Sequence, residues 1–243
     1  MPAGTRVDLR PMKLGEMVDA SIKLYQANFA TLAGITAVII VPWTLLIYAI
    51  DQSDSIVAAV VAFSGGFAIS PIVSGAVAWA AAELYLGRDP GVGQTYSHVG
   101  RRLGAVVAVA LLTGLAIMLG FILLIVPGLI LMARLFAATV AVVIEDRGAT
   151  DAIRRSADLV KGTTGRVLGY LIVMGILVAI ATGILGAIGS AVGDAGNLAL
   201  QVIASVLFMP LSAVFGVLLY FDLRIRKEGF DLEVMARELT GSQ

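Results

Sequence analysis

The residue best placed to do chemistry in this chain is a guanidinium inside an apolar run. Arg134 lies within VPGLILMARLFAATVAVVI, eight residues after Val126. At 1.5 Å per residue that is ~12 Å below one face of a membrane, close to the bilayer centre. A charge at that depth is costly, and lipid exposure is not expected. Two roles fit. The side chain grips the phosphate or carboxylate of an anionic substrate or lipid headgroup bidentately, or it is a structural pin. A pin would be hydrogen-bonded to carbonyls freed by Pro71 or Pro210, or paired with an acid. Three carboxylates stand out as charge partners, Glu83, Glu145 and Asp222, each near the end of an apolar run. Each is expected to pair with a nearby arginine at the membrane interface rather than to relay protons. Asp222 with Arg224, Arg226 and Lys227 reads as a helix-end charge cluster.

Other chemistry is not assembled by these residues. The single histidine, His98, has no cysteine and no carboxylate cluster to share a zinc ion with, and is expected to play a surface role. Ser156 and Ser190 lack a base, so no nucleophile is set up. Gly186–Gly193 has none of the Lys or Ser/Thr context of a phosphate-binding loop; Gly189-x-x-x-Gly193 and the Ser70/Ser74/Ala78/Ala82 series suit close helix packing instead. The expectation is therefore a non-enzymatic chain without catalytic residues, metal or cofactor, and without a nucleic-acid partner.

The elements that hold these residues follow from length and hydropathy. With 59% hydrophobic and 14% charged residues, 243 residues carry more apolar surface than a soluble core can use. A helix crossing a ~30 Å hydrocarbon layer needs ~20 mostly apolar residues. Six runs qualify, about 31–50, 56–86, 104–125, 127–145, 166–190 and 198–221. The expected fold is thus all-α, a single integral membrane domain over 1–243 with about six transmembrane helices. A break is expected in the second run at Ser64-Gly65-Gly66 or Pro71, and a tight turn at Val126-Pro127-Gly128. Pro42, Pro71 and Pro210 each fall inside a run, where they bend a helix. The first thirty residues lack the compact apolar region of a cleaved signal peptide, and are expected to stay on the protein.

Of 17 Lys and Arg residues, all but Arg134 fall in four polar segments on alternate sides of the runs. Basic residues are retained in the cytoplasm, so both termini are expected there. The connections around Asp51–Ser55, Pro127 and Asp194–Asn197 hold no Lys or Arg and would face outward. Amphipathic surface helices are expected at about 13–29, 91–102, 149–162 and 230–239. In 150–161 Ile153, Ala157 and Val160 share one face, with Asp151, Arg154, Arg155, Asp158 and Lys161 opposite. Leu14, Val18, Ile22, Tyr25 and Phe29 form a similar stripe, and Leu232, Met235 and Leu239 a shorter one. Such helices either lie among anionic headgroups or pack on the ends of the spans. LYQANFATLAG (24–34) aligns with LVKGTTGRVLG (159–169), and TYSHVGRRLGA (95–105) fits between them more weakly. Pro71 precedes Glu83 by twelve residues, as Pro210 precedes Asp222. A three-fold repeat of one surface helix plus two spans is the expected organisation.

Four stretches carry a family resemblance: LRPMKLGEMVDASIKLYQANFATLAGI near the start, ELYLGRDPGVGQTY after the second run, VPGLILMARLFAATVAVVIEDRGATDAIRRSADLVKGTTGRVLG in the middle and LLYFDLRIRKEGFDLEVMA at the end. In these the chain resembles the bacterial glycerophosphoryl diester phosphodiesterase membrane-domain family. The resemblance implies a multi-span domain of a bacterial plasma membrane, found alone or attached to an enzyme. The family's hydrolase is a separate soluble domain with histidines and metal-binding carboxylates that are absent here, so no catalytic residue carries over. The first functional expectation is a module that binds or moves an anionic lipid or small amphipathic molecule, using Arg134. The alternative is a membrane scaffold or regulatory protein recruiting a partner through its cytoplasmic helices. Expected partners are the lipid bilayer, its anionic lipids, and either a second copy of the chain or a cytoplasmic protein.

Overall fold

The computed structural model describes residues 10–51 and 56–229. Arg6, Arg237, the 52–55 connection and the expected tail helix at 230–239 lie outside them. Ten helices are present in this part, with no strand among the described residues: α1 (Leu14–Ala27), α2 (Phe29–Asp51), α3 (Ile56–Tyr85), α4 (Val92–Arg101), α5 (Leu103–Leu123), α6 (Ile125–Leu135), α7 (Ala138–Ile144), α8 (Ala149–Val160), α9 (Thr164–Val192) and α10 (Asp194–Glu228).

Six stretches are long and apolar enough to cross a membrane, and the chain is a membrane protein on that ground. They are Phe29–Ile50, Ala68–Tyr85, Leu103–Leu123, Ile125–Ile144, Thr164–Val192 and Asp194–Glu228. The fourth is two helices in series, because α6 and α7 are separated by a break at Phe136 and Ala137. Of two expected breaks one is absent and the other moves. α3 is one continuous helix of 30 residues through Ser64-Gly65-Gly66 and Pro71, since tertiary packing outweighs local propensity over so long an apolar helix. The turn between the third and fourth spans falls at Leu124, which is extended (φ −167, ψ 155), and Val126-Pro127-Gly128 begins α6. Proline fits there because the first turn of a helix has no use for its missing N–H.

The starts of α2, α5 and α9 and the ends of α3, α7 and α10 meet at one end of the bundle, here the charged end. Arg155 of α8 reaches Glu228 of α10 there, and Arg166 of α9 reaches Asp222. Packing is densest in this half: Ala76–Ala78, Ala80–Ala82, Val140–Val143 and Val217–Leu219 are buried. α10 is the axis of this core, against α1, α2, α3 and α9. The opposite half is different. Ile122, Leu123, Leu124, Ile125 and Val126 at the α5–α6 turn are each at least 64% exposed, as suits a surface bathed in hydrocarbon. At that end Gly193, with φ +92, turns α9 into α10, a conformation glycine adopts freely.

The short helices present the faces expected of them only in part. α8 buries Ala152, Ser156, Leu159 and Val160, while Ile153 and Ala157 are only half-buried. Arg155 is turned inward rather than left on the polar face, its side chain 16% exposed, because it meets two carboxylates there. α1 buries Met17, Ser21 and Tyr25 and leaves Ile22 and Phe29 exposed. α4 buries Thr95 and Val99, and its Tyr96 hydroxyl donates to the Ile35 carbonyl of α2 at 2.5 Å. Burial pushes that phenol up to about 12, so it stays a protonated donor.

Candidate functional site

The acidic residues singled out by sequence are all paired, each with arginines close at hand. Glu83, at the last turn of α3, takes Nε of Arg88 at 2.5 Å and Nη2 at 2.8 Å, a bidentate fork. Glu145 ends α7 and accepts from three sides: Arg147 Nε at 2.5 Å, Arg155 Nη2 at 2.8 Å and Nε at 2.9 Å, and the Tyr220 hydroxyl. Burial pushes the Glu145 carboxyl up, but hydrogen bonds from Arg155, Tyr220 and Arg147 outweigh it and hold the group down at about 2. Arg155 also donates Nη2 to Glu228 at 2.7 Å, so α7, α8 and α10 are tied together at one point. Asp222, with a fully buried side chain, binds Arg226 Nε at 2.9 Å and Arg166 Nη2 at 3.4 Å. It also accepts the Met12 amide at 2.8 Å, while Arg226 Nη2 donates to the Met12 carbonyl at 2.9 Å. These carboxylates are fasteners of the charged end.

Arg134 is placed otherwise than expected. Its side chain is exposed, and among the described residues its guanidinium has neither an ion pair nor a hydrogen bond. Neither Glu83, Glu145 nor Asp222 meets it, so the structural pin is not what holds this residue. Its backbone is what is held. Ser156, buried in α8, donates its hydroxyl to the Arg134 carbonyl at 2.7 Å and accepts the Ala137 amide at 3.2 Å. Those are the two backbone groups that the α6–α7 break takes out of the helical ladder. The break places Arg134 beside α8, whose Arg154 and Asp158 are also exposed.

His98 is not a plain surface residue. Its ring stacks on Trp79 of α3, centroids 4.6 Å apart, and its Nε2 lies 3.0 Å from the Val143 carbonyl of α7. It joins α4 to two spans. Among the described residues no group of three or more His, Asp or Glu side chains could hold a metal ion.

The site that sequence reasoning missed is a cleft between α3, α9 and α10. It is an open cleft of about 530 Å³, lined on its polar part by Ser70, Ser74, Thr182, Gln201, Ser205 and Ser212. Each of these lies at least eleven residues from the charged end of its helix, roughly 16 Å or more along the axis. The cleft therefore sits in the loosely packed half of the bundle. Apolar walls are supplied by Val178, Leu200, Phe208 and Met209. The glycine and small-residue series divides between packing and cleft. Ala78 and Ala82 are buried, and a Cβ on Gly189 would stand 2.9 Å from Asn197 Cα, so these are contact positions. Ser70, Ser74 and Gly186 face the cleft instead. The signal available in the sequence was the recurrence of hydroxyls around Pro71 and Pro210, in spans otherwise poor in polar groups.

A family model described as a domain of unknown function, DUF7847, matches residues 91–221. That stretch runs from α4 into the last part of α10, and so includes Arg134, Glu145, Ser156 and the α9–α10 side of the cleft. No curated protein and no solved structure matches the chain.

Proposed function

The chain belongs to the DUF7847 family, and from that premise we propose that it is a non-enzymatic membrane module that binds a lipid or other small amphipathic molecule in the cleft between α3, α9 and α10. The observation that carries this reading is the cleft itself, which sets hydroxyls and an amide beside apolar walls inside membrane-spanning helices. Ligand sites combine mostly apolar lining with a few polar groups that fix orientation, and an amphiphile needs both. Polar residues at membrane depth also mark binding sites more often than chance.

The chain has no cysteine, so single-cysteine labelling reports the cleft cleanly. Ser74→Cys, Thr182→Cys and Ser205→Cys are expected to react with a small thiol reagent in membranes, and to be protected when a bound amphiphile is present. Uniform protection with or without added lipid, together with a soluble protein co-purifying in stoichiometric amount, would instead favour the scaffold reading.

Arg134 belongs to a different surface. Unpaired and exposed beside α8, it suits the phosphate of an anionic lipid at the bundle's periphery. Arg134→Gln is expected to accumulate normally and to retain less anionic lipid on gentle extraction; failure to accumulate would make its role structural.

The same reading extends to arrangement. We place the charged end in the cytoplasm of a bacterial plasma membrane, with α1, α4 and α8 as surface helices of a three-fold repeat. In support, the order short helix, span, span occurs three times along the chain, and the basic residues among those described gather at one end, Arg134 excepted. Kinship with the glycerophosphoryl diester phosphodiesterase membrane-domain family is part of this proposal; its support is the set of four motifs, of which the last begins with LLYFDLRIRKE at the end of α10.

A further inference from the structure

We propose that the cleft selects an amphiphile whose head group donates hydrogen bonds, through hydroxyls or a primary ammonium, and that it disfavours anions; this rests on the cleft being the binding site. Of the five hydroxyls that line the cleft, four have their hydrogens already committed, and among the described residues Ser70 keeps its own. Ser74 donates to the Ser70 carbonyl at 2.8 Å, Thr182 to Val178 at 2.8 Å, Ser205 to Gln201 at 2.9 Å and Ser212 to Phe208 at 2.9 Å, each to the carbonyl four residues back on its own helix. A hydroxyl has one hydrogen and two lone pairs, so what these four offer to the cleft is acceptors. Gln201 spends one amide hydrogen on Asn197 Oδ1 at 3.2 Å, leaving its own carbonyl oxygen and one N–H.

Charge points the same way. Neither Lys nor Arg lines the cleft. The charge nearest to Gln201 along α10 is Asp194, at the helix start two turns away. A phosphate or carboxylate placed among these acceptor lone pairs would lose water and gain at most the Ser70 hydroxyl and one Gln201 N–H, which is costly in an apolar surround. A polyol or ammonium head group makes the opposite exchange, and its alkyl part meets Val178, Leu200, Phe208 and Met209.

The test compares lipids with the same acyl chains and different head groups. Purified protein in micelles is titrated with phosphatidylethanolamine, phosphatidylcholine, diacylglycerol and phosphatidic acid of identical chains, and occupancy is read by native mass spectrometry. Phosphatidylethanolamine and phosphatidylcholine share a phosphate, and only the first has N–H donors. The expected result is about fivefold tighter retention of phosphatidylethanolamine than of phosphatidylcholine, the difference one hydrogen bond makes. Diacylglycerol, with its hydroxyl, is expected to be retained and phosphatidic acid to be weakest. The double substitution Ser74→Ala and Ser212→Ala should bring the first two lipids together.

Gly186→Leu separates the two levels of the reading. A Cβ at Gly186 meets nothing within 4 Å, so the side chain enters the cleft without disturbing a neighbouring helix. If it leaves every lipid bound as before, the cleft is not the binding site. If it displaces lipid but phosphatidylethanolamine and phosphatidylcholine bind alike in the parent chain, or phosphatidic acid binds best, the cleft stands and the donor rule is overturned.

Discussion

Ser156 of α8 closes the gap that the break after Arg134 opens in the fourth span. Its hydroxyl donates to the Arg134 carbonyl at 2.7 Å and takes the Ala137 amide at 3.2 Å, and the side chain is wholly buried. In a continuous helix that carbonyl would accept from Ala138 and that amide would donate to Ala133. A side chain inserted into the ladder is one of the recognised causes of a kink. No proline is needed here, and none is present between Gly128 and the end of α7.

Ser156→Ala is therefore expected to be costly for so small a change. It leaves the buried Ala137 amide and the part-buried Arg134 carbonyl without their partner, at about 1–3 kcal/mol. Thermal or denaturant unfolding in micelles measures it, with Ser190→Ala as the comparison, since Ser190 is exposed and bonds only to the Ala187 carbonyl of its own helix. Equal effects of the two substitutions would mean that the splice contributes nothing.

Glu145 makes the charged end sensitive to acid, and the sign follows from the direction of its shift. Its folded value, about 2, lies below the ordinary 4.5. The carboxylate thus stabilises the folded state fully above pH 4.5, and that contribution is lost as pH falls from 4.5 toward 2. Wild-type stability should drop across this window, and the drop should be smaller in Glu145→Gln. At neutral pH the variant should be less stable by about 1–3 kcal/mol, because Arg155 and Arg147 lose a charged acceptor while Arg155 keeps Glu228. Circular dichroism during acid titration in micelles reads both effects, and parallel curves for the two proteins would refute the assignment.

Asp222 acts at a distance in sequence. Together with Arg226 it holds both the amide and the carbonyl of Met12, fixing the chain just before α1. Asp222→Asn should free that segment, with hydrogen exchange at the Met12 amide faster by at least about tenfold. Glu145→Gln should leave the same amide protected. Unchanged exchange in Asp222→Asn would show that the clamp rests elsewhere.

What could be read from sequence divides along physical lines. The six spans were legible because hydrophobic length is a one-dimensional property, and the pairing of Glu83, Glu145 and Asp222 because arginines stand close by in sequence. The break at Phe136 and Ala137 was not, since it has no local signature and is spanned by a serine some twenty residues downstream. The buried face of α8 was misjudged for the same reason: Ser156 counts as polar in a periodicity argument yet is the most deeply used residue on the helix. The cleft was invisible because it joins α3 to the α9–α10 pair, which follows it in the chain only after α4 to α8.

Close approach at the α5–α6 turn yields a final contrast. A Cβ on Gly128 would stand 2.5 Å from the Phe121 ring, and one on Gly120 would be 3.0 Å from Gly128 Cα. The two helices touch through hydrogen atoms, as small-residue interfaces do in membranes. Gly128→Ala must push the helices apart or displace Phe121 at its fixed end, for about 1–3 kcal/mol of lost stability. Gly169→Ala, in the interior of α9, meets nothing within 4 Å, so the restriction of the unfolded chain should dominate and raise stability by roughly 0.5–1 kcal/mol. Unfolding of the two variants in the same micelles decides it. Opposite signs are expected, and a gain in both would mean that the turn relaxes freely and that its glycines are not required for packing.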